Sequence, residues 1–273
     1  MGILYYIFFL ALGAIIGSFL NVVIFRYGTG RSVGGRSSCM ACGKELAWYD
    51  LVPIFSYFML RGKCRRCKSN ISLQYAGVEV LTALLFLWIG LHARFPLHAI
   101  FLMIVFSLLI VILVYDMRHK IIPDALVYTF IILSFVSLFL FDQGTPGFYL
   151  PYFADLIAGP LLFTFFFLFW FLSRGQWMGF GDAKLVLGIG WFLGMAGGIT
   201  AVIFSFWIGA AVGIFIIVGS RLWYGQRGSL SRKVKPLTMK SEIPFAPFLI
   251  VGFWIVLMTG IHLIPFMTAL LGA

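Results

Sequence analysis

Two aspartates stand where long apolar stretches of this chain end. Asp116 closes the run Ile100 to Tyr115, and Asp182 follows Gly179-Phe180-Gly181. Only 9 of the 273 residues are acidic, in a sequence that is 62% hydrophobic. A carboxylate at a membrane boundary is costly to keep, so it marks function by default. Two carboxylates within hydrogen-bond reach cannot both ionise, and such a pair shares one proton. The ionised member can then take a proton from a water while the acid member polarises a carbonyl, which is the chemistry of amide hydrolysis. A helix start favours negative charge, so Asp182 is expected to be the ionised member and Asp116 the proton holder.

Each aspartate also has a structural reading. Asp182 suits the N-cap of an apolar helix, Asp116 an interfacial charge beside Arg118 or Lys120, and Asp124 the cap of a span starting at Ala125. Gly179 and Gly181 weigh against the plain cap, which needs neither. Their lack of side chains would let a substrate backbone approach closely. Lys184 follows on the same helix. Glu79, at the inner end of another span, is a further candidate for a functional polar contact.

A second constellation is Cys39-Met40-Ala41-Cys42 and Cys64-Arg65-Arg66-Cys67, with 21 residues between the pairs. That spacing approaches a C-x2-C…C-x2-C zinc site, in which four thiolates close a tetrahedral structural Zn²⁺ centre. Lys44, Lys63, Arg65, Arg66 and Lys68 would offset its negative charge and favour thiolates. Two disulfides or redox-active pairs are the competing reading. A cytoplasmic address argues against disulfides, and no thioredoxin-like βαβ unit is near.

The elements that must position these residues are membrane helices. Mean hydropathy is +1.04, with 31 Phe and 8 Trp. Several apolar runs of 17 to 24 residues match the roughly 20 needed to cross the hydrocarbon core. The alternating short segments of a transmembrane barrel are absent. The expected spans are Ile3–Phe25, Ala76–Ala93, Leu97–Tyr115, Ala125–Phe141, Phe153–Ser173, Ala183–Leu193, Ile199–Gly219 and Phe248–Pro265. The fold class is thus an all-α polytopic membrane protein with about eight transmembrane helices. A small zinc-ribbon-like unit follows the first of them. The expected organisation is a first helix (1–25), a four-cysteine zinc-binding unit (26–75) and a membrane catalytic domain (76–273) with about seven helices. No cleavable signal peptide is expected, because no Lys or Arg precedes Arg26 and the first run is too long.

Net charge is +11, and the basic residues cluster. Nine of the 20 Lys and Arg lie between Arg26 and Lys68, and six more between Arg221 and Lys240. Orientation and contact with anionic membrane lipid explain such loops more simply than nucleic-acid binding, which is not expected. Placing both basic segments in the cytoplasm puts the N-terminus outside, and Asp116 and Asp182 emerge together on the cytoplasmic side. The Lys/Arg-free loop Asp142–Tyr152 falls outside. Gly28 to Gly35 misses the G-x-G-x-x-G spacing by one residue and reads as a flexible linker.

These motifs together resemble the type IV prepilin peptidases, polytopic aspartyl proteases of the bacterial inner membrane. The likeness is carried by Gly17-Ser18-Phe19-Leu20-Asn21, the double CxxC with Leu60-Arg61-Gly62-Lys63, Tyr115-Asp116…Ile122-Pro123-Asp124, Gly179-Phe180-Gly181-Asp182-Ala183-Lys184, and Ile243-Pro244-Phe245-Ala246-Pro247. Ala246 stands where many members have Gly. The resemblance implies catalysis by Asp116 and Asp182, acting on prepilins or type II secretion pseudopilins with a basic leader. It also implies N-methylation of the new terminus by S-adenosylmethionine, at no assigned site, with Glu79 a candidate polar contact for that reaction or for the basic leader. A basic leader would meet a basic face, so cleavage is expected to depend more on the substrate's apolar helix than on leader charge.

Two rival classes remain. A proton- or ion-coupled transporter also uses membrane carboxylates and Gly/Pro-broken helices, but this chain has no detectable inverted repeat. A membrane-anchored zinc adaptor would leave the aspartates incidental.

Overall fold

The computed structural model describes residues 2–30, 32–93, 95–142, 145–226 and 244–263. Among the described residues helices make up the architecture, apart from one two-residue strand pair, β1 (Phe141–Asp142) and β2 (Thr145–Pro146). Two compact units are present: Met1–Val114 with Phe141–Gly147, and Tyr115–Leu140 with Phe148–Ala273.

In the first unit α1 (Ile3–Arg26) packs on α3 (Leu73–His92). Gly13 and Gly17 lie four apart on one face of α1, the small-xxx-small spacing that lets membrane helices meet backbone to backbone. A Cβ on Gly13 would fall 2.7 Å from Ala83 Cα, and one on Gly17 2.8 Å from Glu79 Cα. One turn further on, Asn21 Nδ2 donates to the Tyr75 carbonyl at 3.0 Å. The segment between these helices carries a 3-10 turn (Trp48–Leu51) and the short α2 (Phe55–Met59).

The stretch after α1, expected as a free linker, is organised instead. The Arg26 guanidinium donates to the carbonyls of Ser32, Val33, Gly34 and Arg36 at 2.6 to 3.2 Å. Five donors in a fixed fork suit an arginine to gathering several carbonyls at once. Residue 31 lies outside the described residues.

α4 (Pro96–His119) begins in the first unit and ends in the second. It continues past Asp116, which is therefore helical. The second unit holds α5 (Asp124–Leu140), α6 (Phe153–Ser173), α7 (Phe180–Gln226) and α8 (Ala246–Thr259). α7 packs against α5, α6 and α8.

α7 breaks at Gly194, whose φ of 70° and ψ of −176° are non-helical. This is the turn expected between two Gly-rich spans. Asp155 Oδ1 of α6 accepts the Met195 N–H at 3.1 Å and so satisfies a donor freed by the break.

Among the described residues, five helices are long and apolar enough to cross a membrane, and α5 and α8 are shorter apolar helices. With α7 counted as two, the apolar segments match the eight expected. α8 ends at Thr259, before the expected Pro265, with Gly260 in the left-handed region (φ 65°). The basic loop Ser220–Lys240 is helical as far as Gln226, and residues 227–243 lie outside the described residues.

Candidate active site and metal centre

Asp116 and Asp182 both belong to the second unit. Asp116 is 4% exposed and Asp182 7%, and each carboxylate lies within electrostatic range of the other. Both stand at helix N-termini, by different routes.

Asp182 is the third residue of α7, and its Oδ2 reaches back to accept the N-cap Gly179 N–H at 3.2 Å. That is the returning half of a capping box, not the N-cap expected for this residue. Asp116 comes from the end of α4, and the backbone N–H of Ala246, first residue of α8, faces its carboxylate. Asp116 Oδ2 is buried and accepts no hydrogen bond among the described residues. Since both carboxylates meet a helix start, a helix dipole does not single out Asp182 as the ionised member.

What brings them together lies in the turn after α4. Lys120 adopts φ 55° and its backbone N–H donates to the Asp116 carbonyl at 2.7 Å, ending α4 in a left-handed residue. The chain then passes Ile122, 9% exposed, which abuts the start of α7. A Cβ on Gly181 would lie 2.9 Å from Ile122 Cβ. Gly181 is therefore needed to seat α7 against this turn, one residue from Asp182. The expected role of leaving room for a substrate backbone is not what the packing uses at this position. At Gly179 an added Cβ would come 3.3 Å from Asp182 Oδ2.

Lys184 completes the clamp. Its Nζ is 2.6 Å from Asp124 Oδ1, at the start of α5. It also lies over the Phe180 and Tyr128 rings, 4.8 and 4.9 Å from their centroids. Asp124, expected as a cap, thus joins α5 to α7 through an ion pair. Glu79 sits in the other unit, where Oε2 accepts the Ile54 N–H at 2.7 Å. Ile54 has φ 63°, an outlier for a β-branched residue. Glu79 holds that backbone in place.

The cysteines are brought together as their spacing implied. All four Sγ atoms lie within 4.8 Å of one another, and all four thiols are free. A tetrahedral thiolate site with Zn–S near 2.3 Å places its sulfurs roughly 3.8 Å apart, and Cys39 and Cys67 Sγ are 3.8 Å apart. The centre is two copies of one turn. Cys39 N–H donates to Lys44 O and Gly43 N–H to Cys39 O; Cys64 N–H donates to Ser69 O and Lys68 N–H to Cys64 O. Bridges Ser38–Glu45 and Lys63–Asn70 close the two turns.

Backbone N–H groups of Cys42 and Ala41 pull the Cys39 thiol down to about 6, toward the ligating thiolate. The Ser69 hydroxyl lowers Cys67 in the same way. The residues fit one tetrahedral ion.

Two family models match this chain. The Bacterial Peptidase A24 N-terminal domain matches residues 11–93, which hold the cysteines, and the Type IV leader peptidase family matches residues 103–214, which hold both aspartates. The prepilin leader peptidase/N-methyltransferase of Bacillus subtilis is 30% identical over 93% of this chain and 94% of its own length. The chain belongs to the type IV leader peptidase family. The protein of that name from Pseudomonas aeruginosa is 29% identical over 91% of this chain and 88% of its own. That from Myxococcus xanthus is 31% identical over 80% of this chain, which spans 65% of it. No solved structure matches.

Within this family's motifs, the sequence left roles unassigned that the packing supplies. Ile122 and Ala246 frame the aspartates, and Gly17 and Asn21 meet α3. Their motifs were visible in the sequence, but neighbours from distant helices leave no local signal.

Proposed function

We propose that this chain is a membrane aspartyl endopeptidase of the bacterial inner membrane. It removes the basic leader from type IV prepilins or type II secretion pseudopilins and then N-methylates the new amino terminus. The observation that carries the reading is the pair of buried carboxylates, Asp116 and Asp182, each at a helix start and each within range of the other's charge. One carboxylate is protonated and one ionised. The ionised one takes a proton from a water whose oxygen attacks the scissile carbonyl carbon. The protonated one donates to the carbonyl oxygen, and the tetrahedral adduct collapses as the amide nitrogen leaves with a proton.

The site faces the cytoplasm, with the N-terminus outside, on the distribution of Lys and Arg. Membrane lipid surrounds the apolar helices. The substrate's apolar helix supplies most of the binding energy. An apolar cavity of about 280 Å³ lined by Phe165, Phe166, Phe169, Trp177, Met178 and Phe206 favours this, since Trp177 and Met178 lead directly into Gly179. Cys39, Cys42, Cys64 and Cys67 hold Zn²⁺ as a closed structural centre. S-adenosylmethionine supplies an electrophilic methyl group. The free amine's lone pair forms the N–C bond, the S–C bond breaks onto sulfur, and the amine sheds a proton.

The test is leader release from a purified prepilin. Asp116→Asn and Asp182→Asn should each lower it by about 10³-fold or more while leaving Tm and bound metal unchanged. Activity surviving either substitution would falsify the carboxylate mechanism.

A further inference from the structure

α2, in the segment between α1 and α3, is turned inside out. Ser56, Tyr57 and the C-cap Leu60 are half-buried and line a cavity of about 840 Å³. Tyr57 packs against Gly62, where an added Cβ would fall 2.9 Å from the ring hydroxyl. Phe55, Phe58 and Met59 face the other way and are 62 to 69% exposed. Trp48 of the preceding 3-10 turn is 80% exposed, and Leu51 and Val52 are exposed between them. A helix in water would turn its polar residues out and its phenylalanines in. Large apolar side chains grouped on a surface mark a place that meets something apolar.

The depth of α2 says what that is. Its N-cap Ile54 hangs from Glu79, N–H to Oε2, at 2.7 Å. Glu79 is the seventh residue of α3, roughly 9 Å inside the helix at 1.5 Å per residue. On α1 the same level is Gly17, which meets Glu79 Cα. Nine residues separate Gly17 from the end of α1 at Arg26, roughly 14 Å by the same rise. The start of α2 therefore lies level with the outermost turns of two membrane spans, not beyond them. Phe25 and Tyr75, stacked at 4.7 Å, stand at those same helix ends, as aromatic rings do at a membrane boundary.

Charge agrees. The segment between α1 and α3 holds two acidic residues, Glu45 and Asp50, and these are paired with Arg36 and Arg65. Arg61 and Lys63, both exposed, follow Met59 within four residues and bring positive charge beside the apolar face. We propose that Trp48, Phe55, Phe58 and Met59 form an interfacial anchor, seated at the headgroup–acyl boundary of anionic lipid, with Arg61 and Lys63 on its phosphates. Apolar side chains reaching the acyl chains and flanking cations on the headgroups are how non-spanning segments hold a membrane surface. The anchor gives the cysteine turns a third attachment to the bilayer besides α1 and α3, because Lys63 leads directly into Cys64.

The experiment is photocrosslinking of the full-length protein in nanodiscs containing phosphatidylglycerol, with p-benzoylphenylalanine in place of Phe58. Phe8, exposed on α1, carries the same probe as the benchmark for lipid contact. Wild-type metal content is the folding control, and Phe55 is the second site should the Phe58 protein lose metal. Lipid adducts from Phe58 should reach at least a fifth of the Phe8 yield; a lower yield overturns the anchor. A product made mainly of two joined chains, or a prepilin adduct that replaces the lipid adduct when prepilin is added, gives the face to a protein and overturns it too. In nanodiscs of phosphatidylcholine alone the Phe58 yield should fall at least twofold, and Arg61→Gln with Lys63→Gln should remove that dependence on lipid. Equal yields in the two bilayers would overturn the pairing with anionic headgroups.

Discussion

The cysteine centre and the aspartate pair solve the same problem, convergence of chemically active side chains, in opposite ways. The cysteines converge through local turns. Each CxxC is folded by hydrogen bonds spanning five and six residues, and a left-handed residue, Gly43 or Lys68, closes each turn. The aspartates are 66 residues apart and have no such device. They depend on helix packing, through Gly181 against Ile122, Lys184 on Asp124, and the start of α8 over Asp116. A site made of turns can be emptied and refilled. A site made of packed helices is damaged by anything that moves a helix.

The largest separation between the two should come from removing the metal. Chelation, or Cys64→Ser at the one buried ligand, should withdraw on the order of 10 kcal/mol of coupled folding free energy from the turns around it. Limited proteolysis should then cut within residues 37–71 while α5 to α8 stay protected. Acid should act in the same direction, because every ligand must lose its proton to bind. Protection of that segment in the presence of a strong chelator would show that the turns stand without an ion.

That contrast also decides what could be read from the sequence. Paired CxxC motifs announce their geometry because the ligands and the turn that aims them occupy the same few residues. The eight apolar segments were legible for a similar reason, since a span is a property of consecutive residues, and the Gly194 break fell where glycines accumulate. The site's supports were not legible. Gly181 reads as room for a substrate until Ile122 is seen against it. Asp124 reads as a cap until Lys184 arrives from 60 residues away. Gly28 to Gly35 reads as a linker because nothing local reveals that Arg26 gathers its carbonyls. In each case the deciding partner sits on another element or turns back on itself.

Gly181→Ala tests the packed site with a single methyl group. The added carbon meets Ile122 at 2.9 to 3.2 Å, so the turn or α7 must shift. Overpacking of this kind costs about 1–3 kcal/mol, and a displacement near 1 Å costs about 10²-fold in rate. Leader release should fall far more than stability, with metal content unchanged. Adding Ile122→Ala relieves the two contacts beyond Cβ and should recover part of the rate. If the double variant is no better than the single one, Gly181 serves something other than this contact.

A smaller effect belongs to the Lys184–Asp124 pair. Its lysine end is 10% exposed and its aspartate end 67%, so solvent screens it from one side. A double-mutant cycle with Lys184→Met and Asp124→Asn should return a coupling near ~1 kcal/mol. Lys184→Met should cost more than Asp124→Asn, because the ammonium also meets two rings. Equal costs would assign Lys184 to the ion pair alone.

The smallest effect compares the two halves of the metal centre with each other. Gly43 and Lys68 occupy equivalent places, one residue after the second cysteine of each pair, with φ of 68° and 57°. A left-handed conformation costs a side-chain-bearing residue roughly 1–2 kcal/mol, and glycine avoids that cost. Glycine also loses more chain entropy on folding, which offsets part of the gain. Lys68→Gly should therefore stabilise the centre by about 0.5–1 kcal/mol, read as slower metal loss to a chelator. Gly43→Lys should speed that loss by a comparable factor, provided the turns are equivalent. Opposite signs at the two positions are the result that the shared turn requires, because the same backbone is being asked to accept and to shed the same side chain.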